Sequence, residues 1–397
     1  MSRRDDASVI QLVDSLVRKA VLRCASDVHV ESTPLGARVR YRIDGVLYDQ
    51  DLIPLSLMVQ VISRFKILAN INIAEKRVPQ DGRIEIKVAG KSIDIRVSVL
   101  PVSFGERIVM RLLDKTKSLL RLQDIGLSDR DFKVLWRNIQ KPNGIIYVTG
   151  PTGSGKTTTL YSILTELNKP DVKVITVEDP VEYQMKGIAQ VAVKSKIGMT
   201  FAAALRSILR QDPDIIMIGE TRDQETAQIA VQAALTGHLV LSTLHTNSAP
   251  ATITRLIDMG VEPFLISSTI IMICAQRLVR KLCPACKVKY KPELALVKDL
   301  GLTEAQAKKI TFFKANGCEE CNNMGYKGRL PIFEIMEMTP GIVKLTMERA
   351  DASIIKNQAI KDGMILLLDD GIRKIKDGLT TIEEVLSVAT ADIVEQE

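Results

Sequence analysis

Aromatic residues are scarce in this 397-residue chain, at 4% of the total with Trp136 the single tryptophan. A stacking platform for single-stranded nucleic acid needs more rings than that. Long apolar runs are missing too: the most apolar stretch, residues 264–274 (FLISSTIIMIC), is well short of the roughly 20 residues of a membrane-spanning helix. The opening MSRRDDASV has no apolar core, so no secretory signal is visible and the cytoplasm is the expected compartment. The 23 glycines and 15 prolines follow no period, which excludes a collagen-like or low-complexity chain. With 46% hydrophobic residues, disorder is excluded as the dominant state. The net charge of +7 is compatible with nucleic acid, an anionic membrane surface or neither. The length predicts two to three domains.

Six cysteines make an even count, but their spacing does not suggest three bridges. Cys24 and Cys274 are isolated within apolar patterns and read as small buried hydrophobes. Cys283, Cys286, Cys318 and Cys321 form two C-x-x-C pairs separated by 31 residues. Each pair can turn two sulfurs the same way, and four thiolates hold Zn2+ tetrahedrally in a closed, structural site. A redox pair and four free thiols are the competing readings. Arg277, Arg280, Lys281, Lys287, Lys289 and Lys291 flank the first pair with no acidic residue among them. They predict a basic collar that offsets the thiolate charge.

Near the N-terminus Val9, Val13, Leu16, Val17 and Ala20 recur at helical spacing. The period then changes to two. Val28 and Val30 are followed by Val39, Tyr41 and Ile43, which run into Asp44-Gly45. Ile84, Ile86 and Val88 run into Ala89-Gly90, then come Ile93, Ile95, Val97 and Val99, and lastly Ile108, Met110 and Leu112. That order predicts a mostly antiparallel sheet covered on one face by helices. Arg83, Arg96, Arg107 and Arg111 fall on the opposite face by the same period. With Glu85, Asp94 and Glu106 nearby, that face reads either as surface ion pairs or as an arginine cluster facing an anion.

Residues 144–149 (GIIYVT) are a short unbroken apolar run, as expected of a buried parallel strand. They lead into Gly150, Pro151, Thr152, Gly153, Ser154, Gly155, Lys156 and Thr157, with a helix from Thr158 onward. This is G-x-x-x-x-G-K-T in its strand–loop–helix setting. Backbone N–H groups cradle phosphate, the Lys156 ammonium reaches the β and γ oxygens, and the Thr157 hydroxyl ligates Mg2+. Three more strands end in polar residues, at Glu178, at Glu220 and at His245. In an open α/β sheet the ligand lies beyond the carboxyl ends of the strands, so these three should converge on the phosphate loop. A carboxylate there can order Mg2+ or orient water. Asn168-Lys169-Pro170-Asp171 spells a guanine-reading motif, but it comes too soon after Lys156 and is read as a coincidental turn.

Four segments carry a family resemblance: residues 150–157, residues 175–183 (ITVEDPVEY), residues 209–223 (LRQDPDIIMIGETRD) and residues 236–246 (TGHLVLSTLHT). In order and spacing the chain resembles the secretion-ATPase superfamily, which drives type II secretion and type IV pilus assembly or retraction. Residues 26–29 (SDVH) and 77–83 (RVPQDGR) resemble its N-terminal subdomain. The resemblance implies that Gly150, Pro151, Thr152, Gly153, Ser154, Gly155, Lys156, Thr157 and Thr158 bind ATP. It implies that Glu178 positions or activates water, that Glu220 closes an atypical Walker B strand and joins Thr157 at Mg2+, and that His238 and His245 sense the γ-phosphate. Arg96 and Arg111 would reach the nucleotide, with Arg83 and Arg107 nearby. Extension-type pilus motors and type II secretion ATPases carry a tetracysteine insertion like Cys283, Cys286, Cys318 and Cys321; retraction motors lack it. Thr221 stands where members commonly carry Ile or Met. Assembly motors usually bear a further N-terminal domain, so a short form or a piece of a longer product is expected.

These readings predict an α/β protein. An N-terminal helix-plus-antiparallel-sheet domain spans residues 1–118, and a RecA-like P-loop NTPase core spans 119–397. Within the core lie a zinc insertion at 281–330 and C-terminal helices at 331–397, one of them opened by a Thr380-to-Glu383 capping box. The expected function is a homohexameric ATPase using Mg2+ and structural Zn2+. It would power type IV pilus assembly through an inner-membrane platform protein, peripheral to that membrane and without nucleic acid. A type II secretion ATPase is the near alternative, a nucleic-acid translocase a remote one, and an idle nucleotide-binding scaffold the non-enzymatic one.

Overall fold

The computed structural model describes residues 3–114 and 120–389, which divide into two units, Met1–Ser118 and Leu119–Glu397. In the first unit, Val9, Val13, Leu16, Val17 and Ala20 form the buried stripe of helix α1 (Arg3–Leu22). Then come β1 (Asp27–Thr33), β2 (Gly36–Ile43), β3 (Val46–Asp49), β4 (Ile53–Pro54), helix α2 (Leu55–Leu68), β5 (Gln80–Val88), β6 (Lys91–Val102) and β7 (Gly105–Asp114). The strands pair antiparallel in the order β3-β2-β1-β7-β6-β5, with β4 against β2. Two hairpins turn on Asp44-Gly45 (φ 48° and 91°) and Ala89-Gly90 (φ 49° and 79°). Consecutive positive φ values match the right-handed twist of the strands they join.

α1 and α2 cover the apolar sheet face, α2 through Met58, Val61, Ile62 and Phe65. Glu106 departs from the sequence reading, which grouped it with the exposed carboxylates: it points to the covered side and is buried. There the Lys66 ammonium of α2 donates to Glu106 Oε1 at 2.7 Å and to the Glu75 carbonyl at 2.7 Å. Removing one partner of a buried ion pair strands the other charge. Glu106→Ala is therefore expected to lower unfolding free energy by about 3–5 kcal/mol, read by denaturant titration; an unchanged midpoint would refute the pair's role. Cys24 also departs from expectation. It is exposed, at φ 55°, in the turn after α1.

The second unit is a doubly wound α/β layer structure. Its elements begin with α3 (Asp129–Ile139), β8 (Gly144–Thr149), α4 (Lys156–Leu167), β9 (Val174–Glu178), β10 (Ala189–Ala192), α5 (Phe201–Ile208), β11 (Ile215–Ile218), α6 (Gln224–Leu235), β12 (Leu239–Leu244), α7 (Ala249–Asp258), α8 (Pro263–Thr269) and β13 (Ile270–Leu282). The cysteine-bearing excursion holds β14 (Val288–Tyr290), α9 (Leu294–Asp299), α10 (Glu304–Ala307) and β15 (Phe312–Lys314). The chain returns on β16 (Tyr326–Glu337) and ends in α11 (Pro340–Met347), α12 (Ala352–Lys361), α13 (Leu367–Lys376) and α14 (Ile382–Ala389). The main sheet runs β10-β9-β11-β12-β8-β13-β16, parallel except for β16. Its central strands are buried on both faces, one core including Tyr147, Leu205 and Ile253 and the other Leu160, Ile163 and Met217.

Two boundaries shift. Residues 331–337 are the end of β16, an edge strand of the main sheet, so the C-terminal helices start at Pro340. The cap of α14 falls one residue later than read: Thr381 Oγ1 accepts from Glu384 N at 3.4 Å, while Thr380 Oγ1 donates to the Arg280 carbonyl. Among the described residues no helix is long and apolar enough to cross a membrane.

Candidate active site

β8 ends at Thr149 and the next six residues turn sharply before α4 begins. Gly150, Gly153 and Gly155 have φ of 146°, 82° and 90°, values that side chains avoid. A Cβ on Gly150 would lie 2.4 Å from the Gln276 carbonyl oxygen. Lys156, the first residue of α4, is buried and donates to the Gly150 and Pro151 carbonyls at 2.7 and 3.0 Å. Burial lowers its pKa to about 8; Glu220 opposes the shift and Arg277 adds to it. Ser154 Oγ is buried within the loop without a hydrogen-bond partner. Thr157 and Thr158 are exposed at the start of α4. A helix start with free N–H groups, a buried ammonium and an orphaned hydroxyl is what phosphate needs.

β12 lies beside β8 and β11 beside β12, so Glu220 and His245 arrive at the same sheet end as the loop. His245 Nε2 stands 3.8 Å from Glu220 Oε2, which also accepts from Arg222 Nε at 2.6 Å. Burial, then the neighbouring Lys156 ammonium, lowers the His245 pKa below 6.5 against the pull of Glu220. Both peptide flanks of Glu220 are pinned to β12. Thr243 Oγ1 donates to Gly219 O at 2.7 Å, Thr221 N donates to Thr243 O at 2.9 Å, and the Thr221 and Ser242 hydroxyls lie 2.9 Å apart. The departure at Thr221 is thus a buried hydroxyl with a partner.

Two further expected residues have partners of their own. Glu178 ends β9, separated from β8 by β11 and β12. Its carboxylate accepts from Thr176 Oγ1 at 2.5 Å, from Gln190 Nε2 at 3.0 Å and from the Tyr161 hydroxyl. His238 lies at the opposite end of β12, about 20 Å along the strand from His245, with Nδ1 2.8 Å from the Ala233 carbonyl. Asn168 caps the C-terminus of α4 and donates to Lys186 O.

In the first unit the arginines form a cross-strand row. Arg96 is opposite both Arg83 and Arg111, and Asp27 joins Arg111 to Arg42 in the ladder. Carboxylates separate the like charges. Arg83 grips Asp94 through two bonds of 2.5 and 2.6 Å, Arg111 Nε meets Asp27 at 3.1 Å, and Arg107 meets Glu31 at 2.8 Å. Beneath them His29 is buried with neither ring nitrogen bonded.

The four cysteines gather with their sulfurs within 4.8 Å of one another. Cys283–Cys318, Cys286–Cys321 and Cys318–Cys321 are 3.9, 3.8 and 3.7 Å apart. Four sulfurs bound at 2.3 Å to a tetrahedral ion would stand about 3.8 Å apart, whereas a disulfide needs about 2.05 Å. The residues fit zinc. Three members of the expected basic collar are engaged elsewhere. Arg277 sits at the phosphate loop, Arg280 pairs with Glu384 at 2.6 Å and lies over Tyr326, and Lys287 donates to Gly378 O at 2.7 Å. Backbone N–H groups of Cys318 and Gly325 reach Cys321 Sγ instead, at 3.2 and 3.1 Å.

The family described as type II/IV secretion system protein matches residues 2–387. The chain belongs to that family. It is 50% identical over 388 residues to a Pseudomonas aeruginosa protein named type II secretion system protein E, covering 98% of this chain and 77% of that one. It is also 50% identical over 391 residues to the Myxococcus xanthus type IV pilus assembly ATPase PilB, covering 98% and 69%. Among solved structures, the pilus retraction motor PilT with bound ADP aligns with a TM-score of 0.62 at 26% identity, over 94% of this chain and 95% of that one. The Legionella pneumophila ATPase DotB shares the fold with a TM-score of 0.69 at 22% identity, over 96% and 95%.

Within this secretion-family core, sequence reasoning missed Gln276, Arg277, Arg222 and Thr243. A signal existed for the first two: residues 270–275 form an apolar run like that of β8, so Gln276 and Arg277, next along the strand, should also reach the phosphate end of the sheet.

Proposed function

We propose that this chain is the ATP-hydrolysing motor of type IV pilus assembly. It works as a homohexamer at the cytoplasmic face of the inner membrane, where it drives a platform protein that adds pilin subunits. The observation that carries this reading is the meeting of Lys156, Glu220 and His245 at the mouth of the phosphate loop. The loop N–H groups and Lys156 bind the β- and γ-phosphates of ATP. Thr157 and Glu220 would hold Mg2+, which would supply charge neutralisation at the phosphates. Water attacks the γ-phosphoryl in line, the bond to the bridging oxygen breaks, and ADP and phosphate leave. His245 reads the terminal phosphate, and the row of Arg96 and Arg111, with Arg83 and Arg107 beside them, is suited to offsetting anionic charge. Glu178 orients the water once its carboxylate leaves Tyr161, Thr176 and Gln190. His238, a strand length away, acts through the helix turn that holds it. Zinc in the tetracysteine cluster is structural.

A type II secretion motor is the second reading, supported by equal identity to a secretion protein E and to a pilus assembly ATPase. Two measurements test the proposal. The purified chain with Mg2+ should hydrolyse ATP, and no hydrolysis in any oligomeric state would remove the motor reading. Expression in strains lacking either motor should restore pili rather than secretion; the reverse favours the second reading. DNA-stimulated turnover that falls with salt would instead indicate a translocase.

A further inference from the structure

In the β8–β13 ladder Ala275 stands opposite Thr149, so the next two residues of β13 run beside the start of the phosphate loop. Their side chains leave on opposite faces. Gln276 is buried and ties the far side of the loop together: Nε2 donates to Ser154 O at 2.8 Å and Oε1 accepts from Thr159 Oγ1 at 2.7 Å. Arg277, only 5% exposed, goes the other way. Its Nη2 donates to Asn247 O at 2.7 Å, with Asn247 Oδ1 at 3.2 Å, and Nη1 donates to the Gln276 carbonyl at 3.2 Å. A Cβ on Gly150 would stand 3.2 Å from Nη1, so the guanidinium lies against the first residue of the loop.

Asn247 is two residues beyond His245, and the stretch between is fastened to β8 on its other side. The Thr149 hydroxyl lies 3.2 and 3.1 Å from the Leu244 and Thr246 carbonyls and accepts from Thr246 N at 3.0 Å. We infer that Arg277 is a positioning residue, locking the His245-bearing segment to the phosphate loop so that the imidazole keeps its place over the terminal phosphate. This rests on the reading of the loop as an ATP site. A planar fork can hold the Asn247 carbonyl while lying along the loop backbone; an ammonium has three donors but lacks that flat, fixed geometry. Truncating Arg277 removes its hydrogen bond to the half-buried Asn247 carbonyl and frees the segment to drift.

The test compares the full chain with its Arg277→Gln and Arg277→Lys variants. Arg277→Gln should lower kcat by about 10–100-fold, because small misplacements of a reacting group are costly. KM for MgATP and affinity for ADP should stay within about twofold, since Lys156 and the Gln276 clamp remain. Arg277→Lys should fall between. Thr149→Val should add little on top of Arg277→Gln, because both act on one segment. Hydrogen exchange of residues 244–247 should be faster in either variant, a readout that needs no hydrolysis. Wild-type kcat with wild-type exchange in the lysine variant overturns the inference, and so does a loss confined to KM and ADP affinity, which would make Arg277 a phosphate ligand. A wild-type chain that hydrolyses nothing would fail the proposed function instead, and the exchange comparison would still decide this one.

Discussion

The Lys156→Ala chain is expected to hydrolyse no ATP and to bind MgATP at least about 100-fold more weakly than the wild type. Lys156 is buried at the first turn of α4 and touches two loop carbonyls. A buried cation close to transferring phosphate acts in a medium that screens it poorly, so its loss weighs more than that of a surface lysine. Glu220→Gln should behave differently. Gln keeps the shape and the hydrogen bond to Arg222 but removes the charge we propose for ordering Mg2+, so turnover should fall by about 100-fold while affinity stays within about threefold. Fluorescent-nucleotide titration beside phosphate release separates the two outcomes. A Lys156→Ala chain with wild-type turnover would end the case for this loop as the catalytic phosphate site.

The second large effect concerns the cysteines. Native protein should contain about one zinc per chain, and Cys321→Ser or strong chelation should release it and unfold the insertion, because such small lobes draw their folding energy from the metal. The lobe's apolar residues Leu300 and Phe312 share one cluster with Ile372, Ile375 and Val385 of the C-terminal helices. Damage should therefore spread beyond residues 281–330. Proteolysis would then nick the stretch between Cys286 and Cys318, and the melting midpoint of the second unit would drop by several degrees. Zinc-free protein with an intact, protease-resistant lobe would contradict this.

Much of this structure was legible because its signals are local. The phosphate loop is a contiguous motif, and the carboxyl ends of β11 and β12 follow from unbroken apolar runs. Helix α2 was not legible in that way. Its opening L-S-L-M-V-Q-V-I alternates like a strand, and the buried set Met58, Val61, Ile62 and Phe65 shows its helical spacing only once the fold is known. Arg277 was misplaced because nearness along the chain was taken for nearness in space. Six residues of extended strand carry it about 20 Å from Cys283. Glu178 is expected at the phosphate because its strand ends there, and sequence does not announce the Tyr161, Thr176 and Gln190 donors that hold its carboxylate. Glu106 was placed by neighbourhood, whereas its parity along β7 puts it with the core.

The β13–β16 ribbon has an evolutionary corollary. The two strands stay in register from Met272↔Glu337 to Arg280↔Arg329 and slip only at Leu282↔Tyr326, beside the cysteines. The lobe is thus spliced onto the tip of a hairpin the sheet already owns. A gene could shed it by joining the strands near Arg280 and Arg329 with a tight turn, leaving the strand order untouched. Such a shortened descendant would bare Ile372, Ile375 and Val385, so gain or loss of the lobe should travel with polar substitutions on α13 and α14.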